Sequence, residues 1–252
     1  MKKISLFNNN LHFQVSNDLE TYRVESMLEK EAETIAWIKS WSTSNNQVFF
    51  DIGANIGIYS LFACYCSPQN SVYAFEPVSN NYNALIQNIN CNNYENIHAF
   101  NVCISNISQI TSLFLSDERV GNSGAQIDTP INELGEVFSP KKIEKVISLS
   151  IDDLVNTFHF PLPNFIKIDV DGHENEIILG MQETIKNKLL KSILIEFNNE
   201  NQFNKFRDFF ENNGMALDTS LDDLPNHSSK RRANAGGIAR NYIFTRVDSL
   251  QV

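Results

Sequence analysis

One segment constrains the fold of this chain more than any other: Val48-Phe49-Phe50-Asp51-Ile52-Gly53-Ala54-Asn55-Ile56-Gly57-Ile58-Tyr59-Ser60. Its first half is an apolar run closed by a turn signal, the pattern of a fully buried strand. Gly53 and Gly57 permit a sharp turn and close approach by a ligand. Ile58, Leu61, Phe62 and Tyr65 then recur at helical spacing. A strand that feeds a helix through glycines is expected to present free backbone N–H groups at the carboxyl edge of a sheet. In open α/β sheets that edge is where ligands bind.

The turn is poorly suited to phosphate. A dinucleotide fingerprint needs a middle glycine, and Asn55 stands there. A phosphate-binding loop needs Gly-Lys-Ser/Thr, and Ile58 follows Gly57. Asp51 at the strand end would repel phosphate and attract a cation. S-adenosylmethionine (SAM), with its ammonium and sulfonium, meets that requirement. Ser71 to Phe75 reads as the second strand, closed by Glu76 and Pro77. An acidic residue about 20 positions past the glycine turn is the expected acceptor for ribose hydroxyls. Glu76 fills that place for SAM or for a nicotinamide cofactor.

The 252 residues, 42% of them apolar, fit one α/β unit with a sizeable core. A net charge of −10 speaks against a nucleic-acid or anionic-membrane surface. Cys64, Cys66, Cys91 and Cys103 show neither C-x-x-C nor zinc spacing, and read as free thiols of a reducing cytoplasm. Met1 to Phe7 begins like a signal peptide but breaks at Asn8-Asn9-Asn10. No apolar run reaches the roughly 18 residues of a membrane span.

Along the chain, residues 1–26 read as short strands and loops, a small N-terminal cap ahead of the main domain at 27–252. Leu28 to Trp41 has helical spacing. Ser79 is the expected N-cap of a helix carrying Tyr82, Leu85, Ile86 and Ile89. Ile97 to Cys103 reads as a third strand and Ser112 to Leu115 as a short extra one. Residues 116–142, with Gly121-Asn122-Ser123-Gly124 at their centre, read as a lid, a substrate-facing segment or a tolerated insertion. Ser150 to Asp153 resembles a capping box. Phe165 to Val170 and Ser192 to Phe197 read as strands, and Asp171-Gly172 as a turn into a helix. Phe203, Phe206, Phe209 and Phe210 share a helical face, and Gly214 ends that helix. Met215 to Thr219 and Asn241 to Arg246 are the expected last strands. This alternation predicts a doubly wound, mostly parallel sheet.

The Asp51–Ser60 segment, Phe75-Glu76-Pro77, Leu149 to Leu154, Ile166-Lys167-Ile168-Asp169-Val170-Asp171-Gly172-His173-Glu174 and Leu194-Ile195-Glu196 together resemble FkbM-type methyltransferases. Coverage runs from about Glu31 onward, and Lys167 to Glu174 is the specific part. Asp171 departs from the glutamate usual in that family but keeps its charge. The resemblance implies a Rossmann-like, seven-stranded, SAM-dependent sheet with its last strand antiparallel. It also implies O-methylation of a hydroxyl on a sugar, polysaccharide, glycolipid or polyketide-like acceptor.

Within that frame the cofactor set comprises Asp51, Ile52, Gly53, Ala54, Asn55 and Gly57 in the turn, Glu76 and Pro77 at the ribose, Val102 and Cys103 beside adenine, and Asp169. A hydroxyl is a weak nucleophile, so a base should take its proton. His173 suits that role near neutral pH. Asp169 would hold the sulfonium environment or orient the histidine, and Glu196 points to the same edge. A purely structural His173 is the alternative. Asp169, Asp171 and Glu196 offer oxygens to Mg²⁺, though scattered carboxylates are a weak metal signal. Lys230-Arg231-Arg232 with Arg240 is a charged loop or a phosphate contact for the acceptor. Three other readings stay open: a nicotinamide-dependent oxidoreductase, a SAM-binding protein without catalysis, and a base methyltransferase. The last lacks an Asn/Asp-Pro-Pro-aromatic motif, since the fourth strand ends Asp169-Val170-Asp171-Gly172.

Overall fold

A computed structural model describes residues 2–8, 10–132, 135–197, 200–224 and 240–249. The chain opens with a hairpin, β1 (Lys2–Leu6) and β2 (Leu11–Val15), then helices α1 (Asp18–Glu25), α2 (Met27–Lys30) and α3 (Ala32–Ser42). The main body adds β3 (Val48–Ile52), α4 (Ile58–Cys66), β4 (Ser71–Phe75), α5 (Ser79–Asn92) and β5 (Ile97–Phe100). A second group of strands follows: β6 (Cys103–Ile104), β7 (Gln109–Leu115), β8 (Gln126–Ile127) and β9 (Lys142–Leu149). The chain then returns through α6 (Ile151–Asn156), β10 (Phe165–Ile168), α7 (Glu174–Leu179), β11 (Ser192–Phe197), α8 (Glu200–Asn212), β12 (Met215–Asp218) and β13 (Arg240–Arg246).

Seven strands form the main sheet in the order β12-β13-β11-β10-β3-β4-β5. Neighbours from β11 to β5 are parallel, and β13 lies antiparallel between β11 and β12. The expected α/β architecture with an antiparallel last strand is therefore present. The order reverses between β3 and β10, whose carboxyl ends bound the crevice used by ligands in such sheets. Apolar clusters cover both faces. Phe49, Leu61, Phe62 and Trp37 lie on one side, and Phe50, Ile166, Ile193 and Phe210 on the other.

The hairpin packs Leu11, Phe13 and Val15 into the first cluster. Its backbone is pinned to α5, where Asn92 and Asn88 accept the His12 and Gln14 N–H groups at 2.8 and 2.7 Å. The helical spacing of Leu28 to Trp41 is interrupted at Glu31, which takes a non-helical conformation between α2 and α3.

Three local expectations need correction. The run Ile97 to Cys103 is not one strand. It ends at Phe100, and Cys103–Ile104 joins a separate four-stranded sheet of order β6-β9-β7-β8. Strand β9 was not anticipated because its pattern is inverted: Ile143 and Ile147 face outward while Glu144 and Ser148 are buried. Ser79 does not cap α5. The cap position is Val78, and Glu144 reaches across to accept the Ser79 N–H (3.2 Å) and hydroxyl (2.6 Å). An orphan helix donor is thereby satisfied from another sheet rather than locally. By contrast, Ser150 caps α6 through Asp153 N as its sequence suggests. Lys230-Arg231-Arg232 lies outside the described residues. All four cysteines are free thiols. No helix among the described residues is long and apolar enough to cross a membrane.

Candidate active site

The glycine turn starts where β3 ends. Gly53 and Gly57 both hold positive φ, at 78° and 89°. At Gly53 a side chain is sterically excluded, since a Cβ would lie 2.1 Å from the Asp169 carbonyl oxygen. The glycine thus lets the ends of β3 and β10 meet. The turn does not present free N–H groups. Gly53 and Ala54 N donate to Phe75 O at 3.0 and 3.1 Å, Asn55 N to Glu76 Oε2 at 2.8 Å, and Gly57 N to Ala54 O at 2.8 Å. The expectation of open backbone donors fails because β4 runs on alongside and consumes them. The turn is consequently no anion cradle, in keeping with its poor match to phosphate loops.

A cavity of about 220 Å³ opens at this edge. Its lining includes Ile52, Gly53, Ala54, Asn55, Glu76, Pro77, Val102, Cys103, Asp169, His173 and Glu196, which come from five separate stretches of sequence. Asp51 and Gly57 lie outside the lining. Asp51 is buried beneath the turn, where Ser60 Oγ donates to its Oδ2 at 2.6 Å.

Glu76 is 4% exposed, and its two oxygens accept from Asn55 N (2.8 Å) and Val78 N (2.9 Å). Burial pushes its carboxyl up to about 7, and the backbone donors only partly offset this. Burial likewise raises Asp51 and Asp171. The Asp171 carboxylate accepts from Gly124 N at 2.6 Å. Asp169 takes the ammonium of Lys167 at 2.7 Å. The His173 ring is held by Ser105, whose Oγ is 2.8 Å from Nε2, and Glu176 stands 3.7 Å from Nδ1. Burial lowers the histidine below its usual range, so it is neutral at pH 7.

Sequence reasoning missed several lining residues. Lys167 is 1% exposed and serves as the counter-charge of the site. Burial works against its ammonium, but Asp169, Asp51 and Glu31 outweigh this and hold it above the usual lysine value. Its Nζ also lies 4.8 Å from the centre of the Tyr59 ring. Tyr59 OH donates to Glu31 at 2.8 Å. A lysine inside a strand otherwise made of Phe and Ile was the available signal. Arg23 and Asn81 also line the cavity and had no such signal, and Asn122 lines it from the segment read as a lid or substrate-facing stretch. Among the described residues no group of three His, Cys, Asp or Glu side chains is placed to hold a metal ion.

Comparison with known proteins places the chain in a family. A family model of the methyltransferase FkbM domain matches residues 51–217. The hexuronic acid methyltransferase AglP of Haloferax volcanii is 28% identical over 180 residues, 69% of this chain and 65% of that protein. The chain therefore spans just under two thirds of that relative. Methyltransferase 1 of Beauveria bassiana is 22% identical over 178 residues, covering 66% of this chain and 71% of that protein. The METTL16 MTase domain shares the fold at 12% identity with a TM-score of 0.50, covering 97% of this chain and 86% of that one. The chain belongs to the FkbM methyltransferase domain family, and its domain is that of a SAM-dependent methyltransferase.

Proposed function

We propose that the enzyme methylates a hydroxyl of a sugar-class acceptor, with SAM held along the β3–β4 edge. The observation that carries the reading is Glu76, a buried carboxylate fixed by two backbone donors at the wall of the cavity. The donor set fits the cofactor. Glu76 offers acceptors to ribose hydroxyls, Val102 and Cys103 offer apolar walls to a base, and Glu31 and Asp169 offer negative charge toward a cationic amino-acid end. When bound, SAM supplies an electrophilic methyl group on a sulfonium. Sugar acceptors are favoured by the hexuronic acid methyltransferase among the relatives.

His173 takes the proton of the acceptor hydroxyl. The Ser105 hydroxyl donates to Asn106 Oδ1 at 3.3 Å. Ser105 Oγ and His173 Nε2 share a hydrogen bond whose donor is set by the histidine tautomer. Glu176 beside Nδ1 stabilises the imidazolium that forms. Glu196 orients the acceptor, and Asp169, locked by Lys167, supplies fixed negative charge toward the sulfonium. Alignment by these fixed groups supplies much of the rate.

The test is transfer of a labelled methyl group from SAM to a panel of hexuronic acids, neutral hexoses and polyol controls. Label on an acid or neutral sugar, lost in His173→Ala, supports the reading. Cofactor binding with no transfer to any hydroxyl would favour a SAM-binding protein without catalysis.

A further inference from the structure

Residues 120–124 run along one wall of the cavity without regular secondary structure, and other parts of the chain hold them by their backbone. Asn17 Nδ2 donates to Val120 O at 3.0 Å, and Arg23 Nε donates to Gly121 O. Asn81 grips the segment twice: its Oδ1 accepts from Gly121 N at 2.8 Å and its Nδ2 donates to Asn122 O at 3.0 Å. Asn55 Nδ2 donates to the same Asn122 oxygen at 3.0 Å. At the far end Asp171 accepts from Gly124 N at 2.6 Å. The strap is thus positioned by side chains of α1, the glycine turn, α5 and the turn before His173.

One of these anchors also addresses Glu76. Asn55 N donates to Glu76 Oε2, while its side chain holds the same Asn122 oxygen that Asn81 holds. Asn81 is itself 1% exposed and lies on the first turn of α5, which follows directly from Glu76-Pro77. We propose that Asn81 is a positioning residue that holds the 120–124 strap against Asn55, and through it against the cofactor carboxylate Glu76, so that strap closure and cofactor occupancy favour one another. The inference rests on Glu76 meeting the cofactor ribose. It adds that the cofactor is enclosed by the strap, and that the spent cofactor leaves only as the strap loosens. Linkage requires the converse as well: a bound cofactor must make the strap harder to open. The strap also ends on Asp171, two residues before His173, so its closure helps set the turn that carries the proposed base.

The experiment has two arms. In the wild-type protein, amide exchange of segment 117–127 is followed with and without S-adenosylhomocysteine. The expected result is slower exchange with the ligand. Unchanged exchange at saturating ligand overturns the strap while leaving the cofactor site intact; absence of any binding overturns the cofactor reading and the strap with it. In the second arm, release of S-adenosylhomocysteine is timed for wild type, Asn81→Ala and Asn81→Asp. Asp keeps the acceptor for Gly121 N, loses the donor to Asn122 O, and serves if the alanine variant does not fold. Loss of strap hydrogen bonds is expected to speed release about tenfold. Release within about twofold of wild type in a folded variant contradicts the proposal. A merely structural asparagine would lower the unfolding midpoint and leave release unchanged.

Discussion

Lys167 Nζ lies 2.7 Å from Asp169 Oδ2, inside a strand whose other residues are Phe165, Ile166 and Ile168. The pair sits where the order of the main sheet reverses, and Asp51 and Glu31 both act on the same ammonium. A buried cation among carboxylates is costly to remove, because the anions left behind lose the counter-charge they share. Lys167→Met should therefore destabilise the protein by about 3–5 kcal/mol. Urea unfolding checks this, and a loss below about 1 kcal/mol would show that the carboxylates are solvated.

The two glycines of the turn should respond differently. At Gly53 an added Cβ meets a backbone carbonyl, which cannot withdraw without separating β3 from β10. At Gly57 it meets the Leu85 and Leu61 methyl groups, which can rotate aside. Both positions carry positive φ, which costs an L-residue about 1–2 kcal/mol. Gly57→Ala should lose about that amount, and Gly53→Ala clearly more, with disruption of the cavity. Equal losses in chemical denaturation would contradict the close approach at Gly53.

Cofactor binding should depend on pH through Glu76. Its folded carboxyl titrates at about 7 because burial disfavours the charge. Ribose hydroxyls donate to the ionised form, so ligand binding selects the carboxylate and releases a proton where that group is partly protonated. Affinity for S-adenosylhomocysteine should thus fall about tenfold from pH 8 to pH 6. Calorimetry at both pH values, in buffers of different ionisation enthalpy, reads the affinity and the proton together. A flat affinity with no proton release would mean that Glu76 does not meet the ligand.

His173 adds a second loss on the acid side, at lower pH. Burial lowers its pKa, so the neutral base persists to below the usual histidine value of about 6.5. Methyl transfer, measured at saturating cofactor, should hold steady down to that pH and decline only below it. His173→Ala should cut kcat by about 10²–10⁴-fold with little change in cofactor affinity. An unchanged kcat would return the histidine to a structural role.

The parts of the site that were legible in the sequence are those whose chemistry is local. Gly53, Gly57 and Glu76 signal through a strand–turn–helix pattern and a fixed spacing; the two glycines make the turn, and Gly53 and Glu76, though not Gly57, line the cavity. What was not legible depends on contacts made across the chain. The turn donors are consumed by Phe75 O, which no local rule reports. Glu144 turns inward in β9 because Lys142 and Ser79 meet it there, so the alternation of that strand reads backwards. The third strand divides after Phe100 because Cys103 finds a partner in Ser148 of a different sheet. The strap was legible only in outline: Gly121-Asn122-Ser123-Gly124 marks a candidate lid or substrate-facing segment, but the residues that hold it are scattered from Asn17 to Asp171, and no local pattern names them.

The most direct test is calorimetric titration of the purified protein with S-adenosylhomocysteine, and separately with NAD, for wild type and Glu76→Ala. The expected result is micromolar binding of S-adenosylhomocysteine, about −8 kcal/mol, that is lost or strongly weakened in Glu76→Ala. Preference for NAD, or binding that Glu76→Ala leaves intact, would contradict the assignment of the β3–β4 edge to this cofactor.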